Sequence, residues 1–244
     1  MSAVLVIAGT DSSGGAGLTR DAAALAHFKV GVLCAVTAVT AQTDAAVLRI
    51  ERVPAAAVAA QIAAALASGR VAAVKTGMLG GAEVVEAVAQ SLPPGLPLIV
   101  DPVLAATSGG ALLDRAGRTA LIERLLPRTR LLTPNLAEAA QLLGTHIAAT
   151  EEEMIAQAEA LCARGPAAVL IKGGHVQLPL ATDWLVMADG TRRSYSAARS
   201  SVQLRGTGCA LASAIAAGIA TGLDLPTACA RAKTYVTDLL QQTR

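Results

Sequence analysis

The sequence predicts an α/β fold in which helices cover a largely parallel sheet, and two features of the chain support this. Short apolar, β-branched runs alternate with longer alanine-rich runs of helical character throughout the 244 residues. Polar or glycine-rich segments follow most of the strand-like runs, which is typical of strands that end at a ligand-binding edge. No linker or charge block interrupts this pattern, so we expect residues 1–244 to form a single domain.

In the first half of the chain, the two kinds of run predict strands and helices in regular succession. The predicted strands are 3–8, 32–39, 47–50, 71–76, 98–100 and 130–133. The predicted helices run from the glycine-rich loop 11–17 to about Lys29, from Pro54 to about Gly69, over 83–91 and over 114–126. The segments 40–44, 77–81, 101–102 and 107–110 are expected to be loops.

The second half continues the same alternation. Thr150 and Glu153 have the spacing of a capping box, which predicts a helix from there to about Ala163. A strand is expected over 168–172, ending at Gly173, Gly174 and His175, and a hairpin at the sheet edge over 182–187 and 192–197. Two helices, 207–221 and 225–241, complete the chain.

Composition excludes several classes of function. A formal net charge of +2 and an aromatic content of 2% argue against a nucleic-acid partner. The four cysteines have neither disulfide-frame nor zinc spacing, which favours a reducing, cytoplasmic location. The uncharged run 206–223 is rich in alanine, glycine, serine and threonine, so we expect a buried helix and no membrane span. The N-terminal apolar run predicts a strand and not a signal peptide.

The segment Gly206-Thr207-Gly208-Cys209 leads directly into a predicted helix. The unpaired N–H groups of such a loop and of the first helical turn, together with the helix dipole, favour a phosphate or a phosphoryl group in transfer. A glycine turn required only for packing would have the same sequence, so both interpretations are open at this stage.

Five further positions each have a structural and a chemical interpretation. Asp101 follows a strand, where it would cap a turn or bind magnesium. Asn135 and Glu138 have capping-box spacing and would also suit a magnesium–phosphate site. Lys172 ends an apolar strand, and we favour a phosphate contact because burying an unpaired ammonium is costly. Cys209 is either a small core residue or a thiol acidified by the helix N-terminus. The P-loop, GxGxxG, GxSxG and HExxH signatures are absent from the sequence.

Motifs in order along the chain resemble the hydroxymethylpyrimidine/phosphomethylpyrimidine kinases of thiamine biosynthesis, a family of the ribokinase-like superfamily. The resemblance covers about residues 7–217 and rests on the segments 7–17, 37–42, 75–79, 101–103, 132–139, 171–175 and 206–209. It implies a ribokinase-like three-layer αβα sandwich with a central, mostly parallel sheet. Cys209 is the most discriminating position, because most sugar kinases of the superfamily carry aspartate there.

The resemblance also implies an activity and a set of roles. The activity is ATP-dependent phosphorylation of 4-amino-5-hydroxymethyl-2-methylpyrimidine, and then of its monophosphate, with Mg²⁺ as cofactor. Gln42 would bond the aminopyrimidine, Met78 and Val103 would pack on its ring, and Gly9, Ala16 and Asp21 would border the pocket. Cys209 would accept the proton of the attacking hydroxyl. Gly206, Thr207 and Gly208 would hold the transferring phosphoryl group, Lys172 with Asn135 and Thr207 would contact ATP, and Asp101 with Glu138 would place Mg²⁺.

The sequence departs from the family pattern at the nucleotide side. Arg205 stands where the family often has histidine, the segment 200–204 lacks the usual polar character, and no histidine-containing tail follows Leu240. Arg205 would either pair with a phosphate or lie exposed in solvent. The alternatives left open are a pyridoxal-type kinase and a catalytically weakened pyrimidine-binding protein. Related kinases suggest a homodimer.

Overall fold

The computed structural model describes residues 2–106, 110–173, 180–200, 202 and 204–242. The expectations for the loop residues Thr107–Gly109, for Gly174 and His175, and for Ser201 and Gln203 lie outside the described residues.

The strands are, in chain order, β1 Ala3–Ala8, β2 Gly31–Val36, β3 Ala38–Gln42, β4 Val47–Arg52, β5 Val71–Thr76, β6 Leu98–Val100, β7 Ala105–Ala106, β8 Gly110–Ala111, β9 Leu131–Leu132, β10 Ala168–Lys172, β11 Leu180–Met187 and β12 Arg192–Ala198. The α-helices are α1 Gly17–His27, α2 Ala55–Ala67, α3 Ala82–Ser91, α4 Arg115–Ala120, α5 Leu136–Leu143, α6 Glu151–Cys162, α7 Thr207–Ala220 and α8 Leu225–Gln242. A π-helical turn, Leu121–Leu125, and a 3₁₀ turn, Leu126–Arg128, continue α4.

The main sheet has eight strands in the order β12-β11-β10-β9-β6-β5-β1-β2. The six strands from β10 to β2 pair in parallel, whereas β11 and β12 form the antiparallel hairpin expected at the edge. The fold is therefore the mostly parallel α/β architecture that the sequence predicts. The carboxyl ends of the parallel strands meet at one edge of this sheet.

Both faces of the sheet are covered by helices, which gives three layers. Strand β1 illustrates why, because Val4, Val6 and Ala8 pack with the layer of α1, α7 and α8. Leu5 and Ile7 point the opposite way and pack with the layer that contains α2, α3 and α6. A strand buried on both sides requires a continuous apolar run, as the sequence of β1 has.

One predicted strand is wrong in its extent. The run 32–39 was expected to be a single strand followed by a loop at 40–44, but the chain leaves the main sheet at Thr37. Residues Ala38–Gln42 form β3, which pairs with β4 in a separate two-stranded sheet. The backbone N–H of Thr37 bonds the Ala8 carbonyl and its hydroxyl bonds the Met78 carbonyl, and these bonds fix the break.

The helix predictions are closer to the structure. Thr150 caps α6 through the N–H of Glu153, and Glu153 bonds the N–H of Ala149, one residue before the expected partner. The helices at 207–221 and 225–241 are confirmed to within one residue as α7 and α8. Among the described residues, no helix combines the length and the apolar character that crossing a bilayer requires.

Candidate active site

A large cleft opens above the carboxyl ends of the parallel strands, with a volume of about 1440 Å³. It collects nearly all the site residues that the sequence predicts, although they are distributed over two hundred positions of the chain. Those that line it are Gly9, Ala16, Gln42, Met78, Asp101, Val103, Asn135, Glu138, Lys172, Gly206, Thr207, Gly208 and Cys209. The structure therefore brings the predicted ring-binding and phosphoryl-binding groups to one site.

The glycine loop before α7 forms one wall of the cleft. Gly206 is the N-cap of α7 and has a φ of 73°, and a Cβ at this position would collide with the carbonyl oxygen of Gly15. Glycine is therefore required by both conformation and space. At Gly208, a Cβ would lie 3.2 Å from the Lys172 Nζ, so the lysine approaches the first helical turn closely. An anion at this helix N-terminus would meet both the N–H groups and the ammonium.

Lys172 lies between two carboxylates. Its Nζ is 3.2 Å from Asp101 Oδ1 and 3.9 Å from Glu138 Oε2. Burial by itself lowers the pKa of Lys172, but the two carboxylates raise it by more, so the net shift is upward. Lys172 is therefore a cation at neutral pH.

Glu138 has two contacts that the sequence presented as alternatives. It completes a capping box with Asn135, in which each side chain bonds the other's backbone N–H at 2.8 Å. It also lies in the cleft beside Lys172. Burial, partly offset by Lys172, raises the pKa of Glu138 to about 7. The Glu138 side chain therefore both caps a helix and lines the cleft.

The raised pKa of Glu138 predicts a pH dependence of stability. Because the folded state holds this proton up to about pH 7 and a free carboxyl releases it near 4.5, stability falls as pH rises between these values. Glu138→Gln retains a capping oxygen and does not titrate. We expect the wild type to lose roughly 2 to 3 kcal/mol relative to this variant between pH 4.5 and 8. Urea unfolding in metal-free buffer across that range measures the difference, and parallel pH profiles would contradict the assignment.

Cys209 requires a correction. Of its two interpretations from the sequence, the thiol acidified by the α7 N-terminus is wrong, because burial raises its pKa to about 11, although Lys75 and an N–H bond from Gly17 lower it. Partial burial of the sulfur outweighs the stabilisation that a helix N-terminus gives to a thiolate. In the free protein Cys209 is therefore a neutral thiol at neutral pH.

The opposite end of the cleft has the character of a small ring pocket. Met78 packs over Gly9, with its sulfur 3.1 Å from where a Gly9 Cβ would be. Gln42 lies at the end of β3, next to a register irregularity at Ala41. A thioether, an aliphatic side chain at Val103 and one amide offer apolar faces and directed hydrogen bonds to a flat heterocycle.

Asp21 does not border the pocket as the resemblance implied. It is completely buried, accepts hydrogen bonds from Lys75 Nζ at 2.9 and 3.0 Å, and accepts a third from Ser213 at 2.7 Å. Lys75 lines the cleft, whereas Asp21 does not. Lys75 was missed in the sequence, although a lysine that interrupts the apolar strand 71–76 carries the same signal as Lys172.

Two arrangements of charged groups on the cleft wall were not anticipated. Lys233 and Asp183 form an ion pair of 2.8 Å, and Asp183 also accepts from the N–H of Gly173. Arg205 is not solvated as one alternative held, because its guanidinium bonds several groups of the cleft wall and its side chain is only 18% exposed. Sequence spacing alone carries no signal for either arrangement.

Taken together, the cleft contains a cationic, N–H-rich wall beside two carboxylates, next to an apolar pocket with an amide. The first part suits polyphosphate with a divalent cation, and the second suits a small heteroaromatic molecule. A hydroxyl on that molecule would lie beside the phosphate wall, so the arrangement suits phosphoryl transfer.

Comparisons with known proteins identify the family of this chain. The family model described as phosphomethylpyrimidine kinase matches residues 11–244. A hydroxymethylpyrimidine/phosphomethylpyrimidine kinase of Rhizobium meliloti is 44% identical over 95% of this chain and 88% of its own length.

Two solved structures of related kinases are similar in fold to this chain. The phosphomethylpyrimidine kinase of Clostridium difficile has a TM-score of 0.86 at 31% identity, covering 98% of this chain and 100% of the other. The pyridoxal kinase of Staphylococcus aureus, in complex with AMP-PCP and pyridoxal, has a TM-score of 0.87 at 28% identity, covering 97% of this chain and 86% of its own. These matches are of ribokinase-like fold.

Proposed function

The chain belongs to the phosphomethylpyrimidine kinase family, and from this premise we propose how the residues of its cleft divide the work of the reaction. The activity is ATP-dependent phosphorylation of 4-amino-5-hydroxymethyl-2-methylpyrimidine and of its monophosphate in thiamine biosynthesis. The observation that carries the assignment of residues is that Gln42, Lys172 and Cys209 line one cleft. We propose that residues 1–244 act as a single kinase domain.

In this proposal, the ring-binding end orients the acceptor hydroxyl. Gln42 hydrogen-bonds the aminopyrimidine edge, and Met78 and Val103 pack on the ring faces. Gly9 and Ala16 leave the ring room at the pocket wall. Asp21 acts indirectly, because it neutralises the charge of Lys75 and Lys75 lines the cleft.

The phosphoryl-binding end neutralises and positions the transferring group. The backbone of Gly206, Thr207 and Gly208 holds the γ-phosphoryl group, whose negative charge the α7 N-terminus favours. Lys172 contacts the ATP phosphates, with Asn135 and the Thr207 side chain at the rim. The hydroxyl oxygen attacks phosphorus, the bond to the β-phosphate oxygen breaks, and ADP leaves.

Asp101 and Glu138 are the proposed holders of Mg²⁺. Two carboxylates supply the hard oxygen ligands that Mg²⁺ prefers, and Mg²⁺ commonly takes its other ligands from water and phosphate. The described residues contain no cluster of three or more histidine, cysteine or acidic side chains able to hold a metal. When bound, Mg²⁺ supplies charge neutralisation for the phosphates.

Cys209 is the proposed proton acceptor, with a contribution limited by its chemistry. Because its pKa is about 11, only a small thiolate fraction is present at neutral pH. In the loose transition state of phosphoryl transfer, the hydroxyl proton leaves late, so base catalysis contributes less than positioning.

We therefore expect Cys209→Ala to lower kcat by about 10²-fold or less and to leave measurable activity. Cys229→Ala is the matched control, because Cys229 is a buried thiol away from the cleft wall. Steady-state kinetics at saturating ATP measure the effect. Complete loss of turnover in a folded Cys209→Ala protein, or wild-type kcat, would contradict the proposed role.

The function itself is tested by following ADP release with ATP, Mg²⁺ and either the hydroxymethylpyrimidine or pyridoxal. We expect pyrimidine-dependent turnover to exceed pyridoxal-dependent turnover. Pyridoxal is included because the S. aureus structure of similar fold is a pyridoxal kinase. Preference for pyridoxal would replace the substrate assignment, and binding of the pyrimidine without turnover would indicate a binding protein.

We also propose that the protein is a cytoplasmic homodimer. Val39 and Leu48 on the β3–β4 sheet are 53% and 71% exposed, and large apolar side chains exposed to this extent suit contact with a second copy. Leu48→Glu is expected to shift the mass measured by light scattering towards the monomer. An unchanged mass, or a monomeric wild type, would contradict this part of the proposal.

A further inference from the structure

The guanidinium group of Arg205 joins three loops of the cleft. Within the described part of the chain, its two terminal nitrogens lie within hydrogen-bond distance of five oxygens, Ser13 Oγ (3.1 Å), Thr43 O (2.9 Å), Asp44 Oδ1 (3.2 Å), Asp11 Oδ2 (3.3 Å) and Gln42 Oε1 (2.9 Å). Arg205 immediately precedes the glycine loop of α7. It therefore connects the phosphoryl-binding wall directly to the ring-binding amide.

The anchor of this network is Asp11. Its carboxylate is 1% exposed, whereas that of Asp44 is 89% exposed, so the pair with Asp11 is the one that solvent screens least. The other oxygen of Asp11 is held by the N–H and hydroxyl of Ser13. The position of the guanidinium is therefore fixed from the first loop of the chain.

The direction of every bond around Gln42 is determined by chemistry. A guanidinium has only donors, so it faces the amide oxygen of Gln42. The Thr40 hydroxyl uses its one proton on the Thr10 carbonyl, at 2.8 Å. It must therefore accept from Gln42 Nε2, which lies 3.0 Å away. A flipped amide would place donor against donor at Arg205 and leave two partners unsatisfied.

The backbone of Gln42 is held equally firmly. The hydroxyl of Ser12 accepts from the Gln42 N–H at 2.8 Å and donates to its carbonyl at 2.9 Å. Counting the bonds within the described residues, the side chain keeps one N–H and one carbonyl lone pair available. Gln42 lines the cleft, so these two groups form a donor–acceptor pair of fixed order on its wall.

We propose that Arg205 is a positioning residue that locks the Gln42 amide in the one orientation that reads a ring amino group and its neighbouring ring nitrogen. The inference rests on the proposed function, since it assumes an aminopyrimidine at Gln42. The amide carbonyl accepts from the amino group and the amide N–H donates to the ring nitrogen. Prior fixation of the amide removes the entropic cost of ordering it on binding.

The test is a double-mutant cycle on binding of the hydroxymethylpyrimidine alone, measured by calorimetry. The variants are Arg205→Met, Gln42→Ala and the double variant. We expect Arg205→Met to weaken binding about 10-fold, and the double variant to bind no more weakly than Gln42→Ala, because Arg205 acts through Gln42. In Arg205→Met, the KM for the pyrimidine rises together with the dissociation constant, while kcat and ATP affinity change by less than about 3-fold.

Two further variants separate positioning from folding. Arg164→Met removes an arginine that bonds the Leu142 and Leu143 carbonyls outside the cleft wall, and it should leave pyrimidine binding unchanged. Arg205→Lys retains a charge beside Asp11 but cannot span the same partners, so its affinity should lie between those of wild type and Arg205→Met. If Arg205→Met fails to fold, the cycle is run with Arg205→Lys.

Each result that would contradict the proposal has a different meaning. Additive losses in the cycle, or unchanged pyrimidine affinity in both Arg205 variants, would overturn the positioning role. Unchanged affinity for the pyrimidine with weakened affinity for its monophosphate would instead assign Arg205 to phosphate binding. A wild type that neither binds nor phosphorylates the pyrimidine would overturn the proposed function and this inference together.

Discussion

Replacing Lys172 by alanine is expected to lower kcat by about 10³-fold while the protein remains folded. The ammonium lies beside Gly208 of the phosphoryl-binding loop and is the cation that balances Asp101 and Glu138. Without it, the polyphosphate would meet two carboxylates and one helix N-terminus. Steady-state kinetics with saturating pyrimidine and Mg²⁺ measure kcat, and a nucleotide titration measures the accompanying loss of ATP affinity.

Lys172→Met serves as a second variant, because it retains the aliphatic stem and removes only the charge. Arg70→Ala removes an exposed cation outside the cleft wall and should keep wild-type kinetics. If Lys172→Met retained a kcat within about 3-fold of wild type, the charge would have no role in transfer.

The largest effect on stability is expected from Asp21→Ala. This variant leaves the Lys75 ammonium and the Ser213 hydroxyl without their partner at positions with no solvent exposure. Breaking a buried pair by removing one partner costs about 3 to 5 kcal/mol. For a domain of this size, that corresponds to a fall in Tm of roughly 10 °C, which thermal unfolding measures.

The double variant Asp21→Ala, Lys75→Met separates the charge from the packing. Because it removes the unpaired ammonium, we expect it to regain most of the lost stability. Glu51→Ala breaks an exposed pair with Arg49 and should change the free energy of unfolding by less than about 1 kcal/mol. A Tm for Asp21→Ala within about 2 °C of wild type would show that Lys75 does not depend on Asp21.

The convergence of the site could be predicted because it follows from topology. Asp101 and Lys172 each lie at the carboxyl end of a parallel strand, and such ends meet at one edge. Gly206 could be recognised because a glycine before a helix has a local conformational cause. The capping box of Asn135 and Glu138 could also be recognised from local sequence spacing. The position of these two residues in the cleft follows from the rule that strand ends meet at one edge.

What could not be predicted depends on contacts distant in sequence. Asp21 and Lys75 are 54 positions apart, so no spacing indicates their pair. The thiol of Cys209 has the local signature of acidification, but its pKa is decided by burial, which the finished fold sets. The break at Thr37 was missed because alternation of apolar residues does not reveal where a strand changes sheets.

The central claim is that one cleft transfers the γ-phosphoryl group of ATP to the pyrimidine hydroxyl. A ³¹P NMR time course of wild-type protein with ATP, Mg²⁺ and the hydroxymethylpyrimidine tests it most directly. We predict a phosphomonoester resonance that appears as the ATP γ-phosphate resonance declines, followed by resonances of the pyrimidine diphosphate. ATP loss into inorganic phosphate without any pyrimidine ester, or no ATP loss at all, would contradict the account.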